Sequence, residues 1–467
     1  MREASITLSE VSGTLRFDSK YFISRINPVL QEIYGGRFTL RTVADFLPEG
    51  KIWSGNIFSR VYAEDPTLGK PLLVPYDLFR YVPWSDKVLS ESQNAQYNKL
   101  AIKRGTAYLV CSGRNLGPIS VADKFCENFC MSHDMVRIDA GGLTNAFFYV
   151  VAFLSSKHGQ AAVRTDMNGS VIDHTNEKQV AAIRIPILAQ ETMDAAAKLY
   201  RIGFRKREKA RQLLAKTRAA YDSQFSLSRD AHFRAKRFAR RFAINRSSLV
   251  DRIDVEPLAP QYQSLKANIV AGGGRRLDSL AEVAKPAGRY KTNYVTDAAF
   301  GVPMMNGRQI AQYQTIAMKL MNISSFKTAN SFLLERGMTL LTADGRAEEN
   351  LADCVMVADD RNGWAASGHV HRVKPRPGVH PGLVYLACAS TPVQAQLKAL
   401  ATGSVVDALS EADVSSVIVP YADTPEAMAL GDAAVRAWDL FAAATAAEDM
   451  GKALLEGAFS RDPVNLV

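Results

Sequence analysis

The sequence predicts a mixed α/β protein with two pseudo-symmetric domains, separated by two long antiparallel helices that form a coiled coil. Short sequence blocks recur in the same order at a nearly constant offset, and each copy ends in an apolar strand that leads into a long helical stretch. The composition is that of ordinary globular proteins, since 47% of the 467 residues are hydrophobic and 22% are charged. This length suits two or three domains.

Six blocks of the first half return 232 to 237 residues later. The clearest pairs are residues 69–81 and 301–313, 104–114 and 336–346, and 183–186 and 417–420. Chance likeness between strand-rich stretches is the alternative, but a constant offset across collinear blocks favours a duplicated domain.

Within each copy, short apolar runs flanked by Gly and Pro predict buried strands, as at residues 107–110 and 383–386. Two longer stretches, 190–225 and 424–459, predict helices of roughly 50 Å each. We therefore expect a first domain at 1–189, a spacer helix with a basic helical segment at 190–250, a second domain at 251–423 and a C-terminal spacer helix at 424–467.

The two predicted helices carry opposite charge. Residues 190–225 contain nine bases and four acids, whereas residues 423–459 contain two bases and seven acids. Each helix also carries an apolar stripe, and that stripe could pack on the domain of its own copy. Opposite charge and similar length favour pairing of the two helices with each other.

Several protein classes are disfavoured by the sequence. No run of 18 apolar residues is present, and residues 1–10 lack the apolar core of a signal peptide. The chain has five cysteines, a small and odd number that disfavours a disulfide framework. These features predict a cytoplasmic protein with no membrane partner.

The net charge of +10 is concentrated in one segment. Residues 201–246 hold 15 Lys and Arg against three acids, so the rest of the chain is nearly neutral. In residues 226–246, phenylalanines alternate with Arg234, Arg237 and Arg241. This basic segment could follow DNA phosphates, or it could dock on an acidic surface of a partner protein.

The chain resembles the specificity (S) subunits of type I restriction-modification systems over nearly its whole length. The tandem duplication, the Gly-x-Pro blocks at Gly69 and Gly301, and the Arg-Gly-x-x-x-Leu strands at Arg104 and Arg336 carry this resemblance. The strand endings at Pro186 and Pro420, each followed by a long helix, are its most specific part. The basic segment departs from the pattern, because family members often connect these parts more briefly.

The resemblance implies a non-catalytic subunit with two target-recognition domains, each reading one half of a split double-stranded DNA sequence. The two helices would set the spacer and bind two adenine-N6 methyltransferase (M) subunits, and restriction/translocase (R) subunits would join them in phage defence. The family implies no cofactor in this chain, with S-adenosylmethionine, ATP and Mg expected in the partner subunits.

Loops that follow apolar strands offer candidate DNA contacts, because Arg, Asn and Gln are the usual readers of base edges. The pairs of loops lie at corresponding positions of the two copies. The candidates are Tyr76, Arg80, Ser112, Arg114 and Asn115 in the first copy, Asn306, Arg308, Gln309 and Arg346 in the second, and Arg234, Arg237 and Arg241 in the basic segment. Solvent-exposed turns of no recognition function are the alternative.

No catalytic or metal site is predicted. The chain lacks the Asn/Asp-Pro-Pro-aromatic loop that holds a flipped adenine and lacks a phosphate-binding P-loop. The repeated carboxylates, Asp173 with Glu177 and Asp407 with Glu411, favour a structural role. Cys126 and Cys130 have a spacing that suits a metal but no matching second pair, so we expect free buried thiols. His369 and His371, with His380 close in sequence, could form a zinc site, but a surface or DNA-facing position is favoured.

Two other functions stay open from the sequence. The chain could serve as the specificity chain of a fused methyltransferase-nuclease system, which its gene neighbours would reveal. It could also be a basic scaffold that binds nucleic acid without sequence preference, which would show a steep salt dependence and no difference between random and specific DNA.

Overall fold

The computed structural model describes residues 27–165, 173–226, 242–246, 255–286, 291–324, 329–347, 349–403 and 405–460. The chain divides into two compact units. Unit 1 comprises residues 1–208 and 443–467, and unit 2 comprises residues 209–442. Helices and strands alternate through both units, which confirms the predicted mixed α/β class.

Unit 1 contains two sheets and a short ribbon in its described part. The first sheet has the strand order β2-β9-β6-β7 and is antiparallel. The second has the order β3-β5-β4-β8, with a parallel pair at β4 and β8. β1 pairs with β10 in the ribbon. The strands are β1 Leu40–Thr42, β2 Lys51–Ser54, β3 Tyr62–Ala63, β4 Gly69–Leu73, β5 Val88–Ser90, β6 Ala107–Val110, β7 Ile119–Val121, β8 Cys130–Met131, β9 Met135–Asp139 and β10 Arg184–Pro186.

Besides the last part of the C-terminal helix, unit 1 contains seven α-helices in its described part, of which the short helix at residues 97–100 packs on the second sheet. They are α1 Pro28–Tyr34, α2 Val43–Phe46, α3 Tyr97–Leu100, α4 Asn145–Ser155, α5 Lys157–Val163, α6 Glu177–Ala182 and the first part of α7 Gln190–Gln224. Ser156 ends α4 and begins α5, because its hydroxyl donates to Phe153 O and accepts from Gly159 N. The apolar run of α4 is buried along its length and forms the centre of the core.

Unit 2 repeats these connections in its described part. Its first sheet has the order β12-β20-β16-β18, its second the order β13-β15-β14-β19, and β11 pairs with β22. β14 and β19 are parallel, as β4 and β8 are in unit 1. The strands are β11 Arg275–Arg276, β12 Ala281–Ala284, β13 Tyr294–Val295, β14 Val302–Met305, β15 Lys319–Met321, β16 Thr339–Thr342, β17 Asp344–Gly345, β18 Cys354–Met356, β19 Ala365–Ala366, β20 Val370–Pro375, β21 Asp407–Ala408 and β22 Ile418–Val419.

The helices of unit 2 correct one prediction. They are α8 Val255–Leu258, α9 Pro260–Ala271, α10 Leu277–Leu280, α11 Pro381–Ala389, α12 Thr391–Leu400, α13 Glu411–Ser416 and the first part of α14 Pro425–Ser460. The predicted strand at residues 383–386 is wrong, because these residues lie inside α11. All four are buried, and a run that is apolar on every side has no periodicity to distinguish helix from strand.

The same strand order and the same parallel pair in both units confirm the pseudo-symmetry that the sequence repeats predict. Local signals repeat as well. Asn176 and Gln179 form a capping box at the start of α6, and Ser410 and Asp413 form one at the start of α13. Each box fixes the helix that leads into the closing strand of its copy.

The glycine of the repeated Gly-x-Pro block has a packing reason in each unit. A Cβ atom at Gly69 would lie 1.9 Å from the carbonyl oxygen of Leu89 on the neighbouring strand. At Gly301, a Cβ atom would lie 2.4 Å from Cγ2 of Val295. A side chain at either position would collide with a neighbouring part of the chain, so glycine is the residue that fits.

The two long helices begin and end within a residue of their predicted bounds. Within unit 1, α7 packs on the last part of α14, which confirms the predicted pairing there. Leu199 and Tyr200 lie beside Gly451, and Gly203 lies beside Ala444 and Glu448. Positions that rise along α7 meet positions that fall along α14, so the helices are antiparallel in this unit.

The apolar stripes of both helices also pack on the body of unit 1. Ala196, Tyr200 and Phe204 of α7 join the same core cluster as Leu455 and Phe459 of α14. For α7 the two alternatives of the sequence therefore occur together, since it packs on the domain of its own copy and on α14. The last part of α14 packs on the domain of the other copy, whereas its first part packs on its own domain through Trp438 and Tyr385 in unit 2. Within the described residues, no helix is long and apolar enough to cross a membrane.

Candidate functional site

The first candidate loop of unit 1 follows β4 as a 3-10 turn, Pro75–Phe79. Buried Leu78 and Phe79 anchor this turn in the core. The Asp77 carboxylate accepts from the backbone N–H of Val74 at 3.0 Å and fixes the start of the turn. Tyr76 and Arg80 are half-buried beside it. Their contact with DNA stays a prediction.

The corresponding loop of unit 2 follows β14. Asn306 Oδ1 accepts from the N–H groups of Arg308 and Gln309, so the asparagine builds the turn. Gln309 is buried; its Oε1 accepts from Asn306 N at 3.0 Å, and its Nε2 donates to Ile316 O at 2.8 Å. Arg308 is exposed. Of these three predicted residues, Asn306 and Arg308 are exposed, and the Asn306 side chain is already engaged in the turn.

The Gly-Arg turn of unit 1 follows β6. Ser112 forms a backbone bridge with His174, and Gly113 N donates to Asp173 O at 2.9 Å. Gly113 adopts φ +95°, a conformation that favours glycine, and open space surrounds its Cα. Arg114 is exposed and Asn115 is half-buried. The turn therefore fixes the backbone and leaves the arginine side chain outside.

Unit 2 repeats this turn with one more pair of strands. β17 pairs with β21, at the position of the Ser112–His174 bridge. Arg346 is exposed and its Nη1 lies 3.5 Å from Glu349 Oε1, a loose surface ion pair. Arg114 and Arg346 thus occupy the same place in two similar turns. Arg234, Arg237 and Arg241 lie outside the described residues.

A short turn links the two candidate loops in each unit. In unit 1 this linking turn is residues 132–134, between β8 and β9. Ser132 N donates to Leu73 O, the last residue of β4, at 3.0 Å, and Cys111 N, just after β6, donates to Asp134 O at 3.2 Å. The linking turn of unit 2, residues 367–369, makes the same two bonds with Met305 and Ala343. Each linking turn therefore joins the starting points of both loops.

A buried arginine holds each linking turn, and sequence reasoning missed both. Arg137 donates to the carbonyl oxygens of Met131, Ser132 and Met135, at 2.8, 3.1 and 3.0 Å. Burial lowers the pKa of this guanidinium, and its plane lies 5.6 Å from the ring centre of Tyr108. The available signal was an arginine inside an apolar strand, as in the run MVRID at residues 135–139.

The second buried arginine repeats the pattern. Arg372 donates to the carbonyl oxygens of Ala366, Ser367 and Val370, and also to Phe332 O at 3.2 Å. The first three acceptors lie six, five and two positions before the arginine, as they do for Arg137. The same hydrogen-bond pattern thus occurs at equivalent places of the two units.

Of the two histidines near the second linking turn, His369 agrees with the expected surface position and His371 does not. His369 is exposed, and its Nδ1 lies 2.6 Å from Asp344 Oδ2, beside the Gly-Arg turn. His371 is buried, so its predicted surface position is wrong. Its Nε2 lies 3.0 Å from Leu409 O, and burial lowers its pKa to about 4. The side chain is therefore neutral at physiological pH and acts within the core.

The repeated carboxylates have the structural role that the sequence favours. Glu177 accepts from Ser54 Oγ at 2.9 Å, and Ser54 is the last residue of β2. Glu411 accepts from Lys285 N at 2.8 Å, and Lys285 directly follows β12. Asp407 accepts from Ala347 N at 2.8 Å. Cys126 and Cys130 are buried free thiols. No group of three His, Cys, Asp or Glu in the described ranges could hold a metal ion.

The repeated Arg-Gly positions attach each unit to a long helix. Arg104 makes a two-pronged contact with Glu208 of α7, with Nε–Oε1 at 2.6 Å and Nη2–Oε2 at 2.9 Å. This guanidinium holds the pKa of the Glu208 carboxyl below its usual range. In unit 2, Arg336 lies 2.6 Å from Asp439 of α14. Equivalent arginines thus bind acids on equivalent helices.

The two long helices also share one buried ion pair within unit 1. Arg207 of α7 lies 2.6 Å from Glu448 of α14, and the arginine side chain is 5% exposed. The opposite net charges of the helices therefore become a specific contact in this unit. Such a pair fixes the register of the helices more than it adds stability.

Comparison with known proteins adds the following findings. No protein-family model matches the chain. No curated protein matches it either. Among solved structures, the chain is similar to the type I restriction-modification S subunit from M. genitalium, at 13% identity, with a TM-score of 0.37 and coverage of 94% of this chain and 100% of that one.

Two further solved structures are similar. The HsdS subunit from Thermoanaerobacter tengcongensis has 14% identity, a TM-score of 0.27 and coverage of 91% and 98%. A chain from a study of complex assembly and conformational transition of the type I restriction-modification system has 14% identity, a TM-score of 0.27 and coverage of 88% and 97%. TM-scores below 0.5 do not establish a common fold for the whole chain.

Proposed function

We propose that this chain is the sequence-specific DNA-recognition subunit of a type I restriction-modification complex. The duplicated domain carries the proposal: two units with one strand order present arginine-bearing loops at equivalent places, and the loop sequences differ. A protein that reads two different half-sites needs such an arrangement, with a shared scaffold and separate contact residues. The resemblance of the sequence to S subunits supports the same function.

The proposed mechanism is readout of a split target. Arg114 in unit 1 and Arg308 and Arg346 in unit 2 are exposed, so their guanidinium groups can reach phosphates or guanine edges. Each good two-pronged base contact contributes about 1–3 kcal/mol of discrimination. Tyr76, Arg80, Ser112 and Asn115 would shape or extend the surface of unit 1.

The chemistry would belong to the partners. Two methyltransferase subunits would bind S-adenosylmethionine and methylate adenine, and restriction/translocase subunits would use ATP and Mg to cleave unmodified DNA. Adenine must leave the duplex stack for methylation, so the recognition subunit holds the complex at its target while the partner flips the base. We expect this assembly in the cytoplasm.

Methylation in a methylation-free host tests the proposal. The chain is co-expressed with the adenine methyltransferase encoded beside it, and single-molecule sequencing of genomic DNA records the methylated motif. We expect methylated adenine in a split motif that disappears when this chain is deleted. The variant Arg114→Ala should relax one half-site and Arg346→Ala the other, each at positions that lose a contact.

Arg184→Ala serves as the matched control, because Arg184 is an exposed arginine of unit 1 on β10, away from both loops. This variant should leave the motif unchanged. The same motif without this chain would refute the specificity role. No methylation, together with binding that depends on salt and is equal for all sequences, would favour the sequence-independent scaffold.

A further inference from the structure

The buried arginines at the linking turns donate to backbone carbonyl oxygens. Arg137 has no exposed surface, and the acceptors that it reaches are backbone carbonyl oxygens. Arg372 is 4% exposed and reaches carbonyls in the same way. Burying a charge beside neutral acceptors costs several kcal/mol, and an apolar residue of similar volume is often more stable at such a place. Stability alone therefore does not explain Arg137, and Arg372 repeats its three contacts.

The two copies treat the arginine and the loops differently. The loops that follow β4 and β14 share little sequence, and so do the residues that come directly after the Gly-Arg turns. The arginine, its three acceptor positions and the two bonds from the linking turn to the loops are the same in both units. The hydrogen bonds that fix the backbone at the start of the loops are therefore the same in both units, whereas the sequences of the loops differ.

We propose that Arg137 and Arg372 are positioning residues that set the geometry of the DNA-reading loops, Arg137 in unit 1 and Arg372 in unit 2. This inference rests on the proposed function. The planar guanidinium presents five N–H donors in a fixed fork, so it ties the first carbonyl of the linking turn and the strand carbonyls on both sides of that turn to one rigid group. The turn then holds Leu73 and Cys111 in unit 1, or Met305 and Ala343 in unit 2, by single hydrogen bonds.

Base recognition depends on this rigidity, because a displacement of about 1 Å is enough to break a two-pronged hydrogen bond. Without the guanidinium, the carbonyls in and beside the linking turn lose their donors and the turn rearranges. Both loops of that unit then start from shifted backbone, so several base contacts loosen together. The other unit keeps its own arginine and its own loops.

The test measures the methylated motif with the whole complex. The variants Arg137→Met and Arg372→Met are co-expressed with the neighbouring methyltransferase, and each motif is read by single-molecule sequencing. We expect Arg137→Met to raise methylation at sites mismatched in one half-site about tenfold or more, and to leave the other half-site as strict as before. Arg372→Met should do the reverse.

Matched controls separate positioning from stability. Tyr149→Phe removes the bond from Tyr149 Oη to Pro186 O in the core of unit 1, and Tyr221→Phe removes the equivalent type of bond to Pro420 O in unit 2. Neither tyrosine touches a linking turn in these contacts. These variants can lower the total methylation, but the motif should stay unchanged. Loss of stability alone cannot relax one half of a motif.

Lysine variants give a second reading, since the methionine variants can fail to fold. Arg137→Lys and Arg372→Lys keep the charge and up to three donors. The lysine variants should restore most of the yield of folded protein. They should restore only part of the specificity for the affected half-site.

Three outcomes decide the inference. Relaxation confined to one half-site in each arginine variant supports it. An unchanged motif at reduced yield in both the methionine and the lysine variants overturns it and leaves the proposed function standing. Absence of any split motif with the unaltered chain overturns the proposed function, and this inference with it.

Discussion

Replacing Gly203 by alanine should destabilise unit 1, although the same substitution at an open helix position stabilises. Gly203 lies in α7 where α14 passes closest. A Cβ atom there would lie 2.7 Å from Cγ of Glu448 and 3.0 Å from the carbonyl oxygen of Ala444. Gly457, in α14, has open space around it, with no atom within 4 Å of a Cβ. The two glycines therefore form a matched pair.

The two substitutions should change the free energy of unfolding in opposite directions. Alanine in place of a helical glycine gains about 1 kcal/mol from helix propensity, and Gly457→Ala should gain that amount. Gly203→Ala gains the same but forces the two helices apart, which costs about 1–3 kcal/mol. It also displaces Glu448, which pairs with buried Arg207 at 2.6 Å, and straining that pair costs about 1–2 kcal/mol more. The net loss is about 2 kcal/mol.

Thermal unfolding of the purified chain, followed by circular dichroism and calorimetry, measures both variants. For a unit of 150–250 residues, 1 kcal/mol shifts the midpoint by about 2–4 °C, so Gly203→Ala should lower the unit 1 transition by about 4–8 °C. Gly457→Ala should raise it by about 2–4 °C. If both variants raise the midpoint, the close packing of α7 on α14 at Gly203 is wrong.

Three more predictions follow from the packing and the burial. In urea unfolding, Gly69→Ala should lower the stability by about 1–3 kcal/mol or more, because its Cβ would meet Leu89 O. The control Gly142→Ala, with open space around the new Cβ, should change the stability by less than about 0.5 kcal/mol. Burial raises the pKa of the thiols of Cys111 and Cys388 to about 12, so the native chain should react slowly with a thiol reagent at pH 8 and all five cysteines should react quickly in guanidinium. The pKa of His371 falls from 6.5 to about 4 on folding, so its contribution to the stability is fully present above pH 6.5 and is lost as the pH falls toward 4, by up to about 3 kcal/mol. A His371→Gln variant should give a flatter curve of unfolding free energy against pH in that window. A slope equal to that of the unaltered chain would refute the buried neutral state.

The features that the sequence predicts best are those with long-range regularity. The offset of the repeats, the bounds of α7 and α14 and the strand at residues 107–110 all agree with the structure. Helical periodicity over 35 residues is a strong signal, and a repeat needs no knowledge of packing. The strand predicted at 383–386 fails because four buried residues contain no periodicity.

The candidate site is predictable only in part, because exposure depends on distant contacts. Arg114, Arg308 and Arg346 are exposed as loop residues should be, but Gln309 is buried by bonds to Asn306 and Ile316 that no local pattern reveals. Arg137 was missed for the same reason. Its role comes from the carbonyls of a turn that folds back over it, and sequence patterns treat arginine as a surface residue.

The discontinuity of unit 1 has a consequence for biosynthesis. Unit 2 is one continuous stretch, 209–442, whereas unit 1 needs residues 443–460 to complete its core. Phe459 packs on Phe38 and Phe153, Arg37 Nη1 donates to its carbonyl oxygen, and Lys157 N bonds to Glu456. The first 208 residues therefore leave the ribosome long before the residues that complete the core of unit 1 are synthesised. The nascent chain should therefore complete its second unit before the core of unit 1 can close.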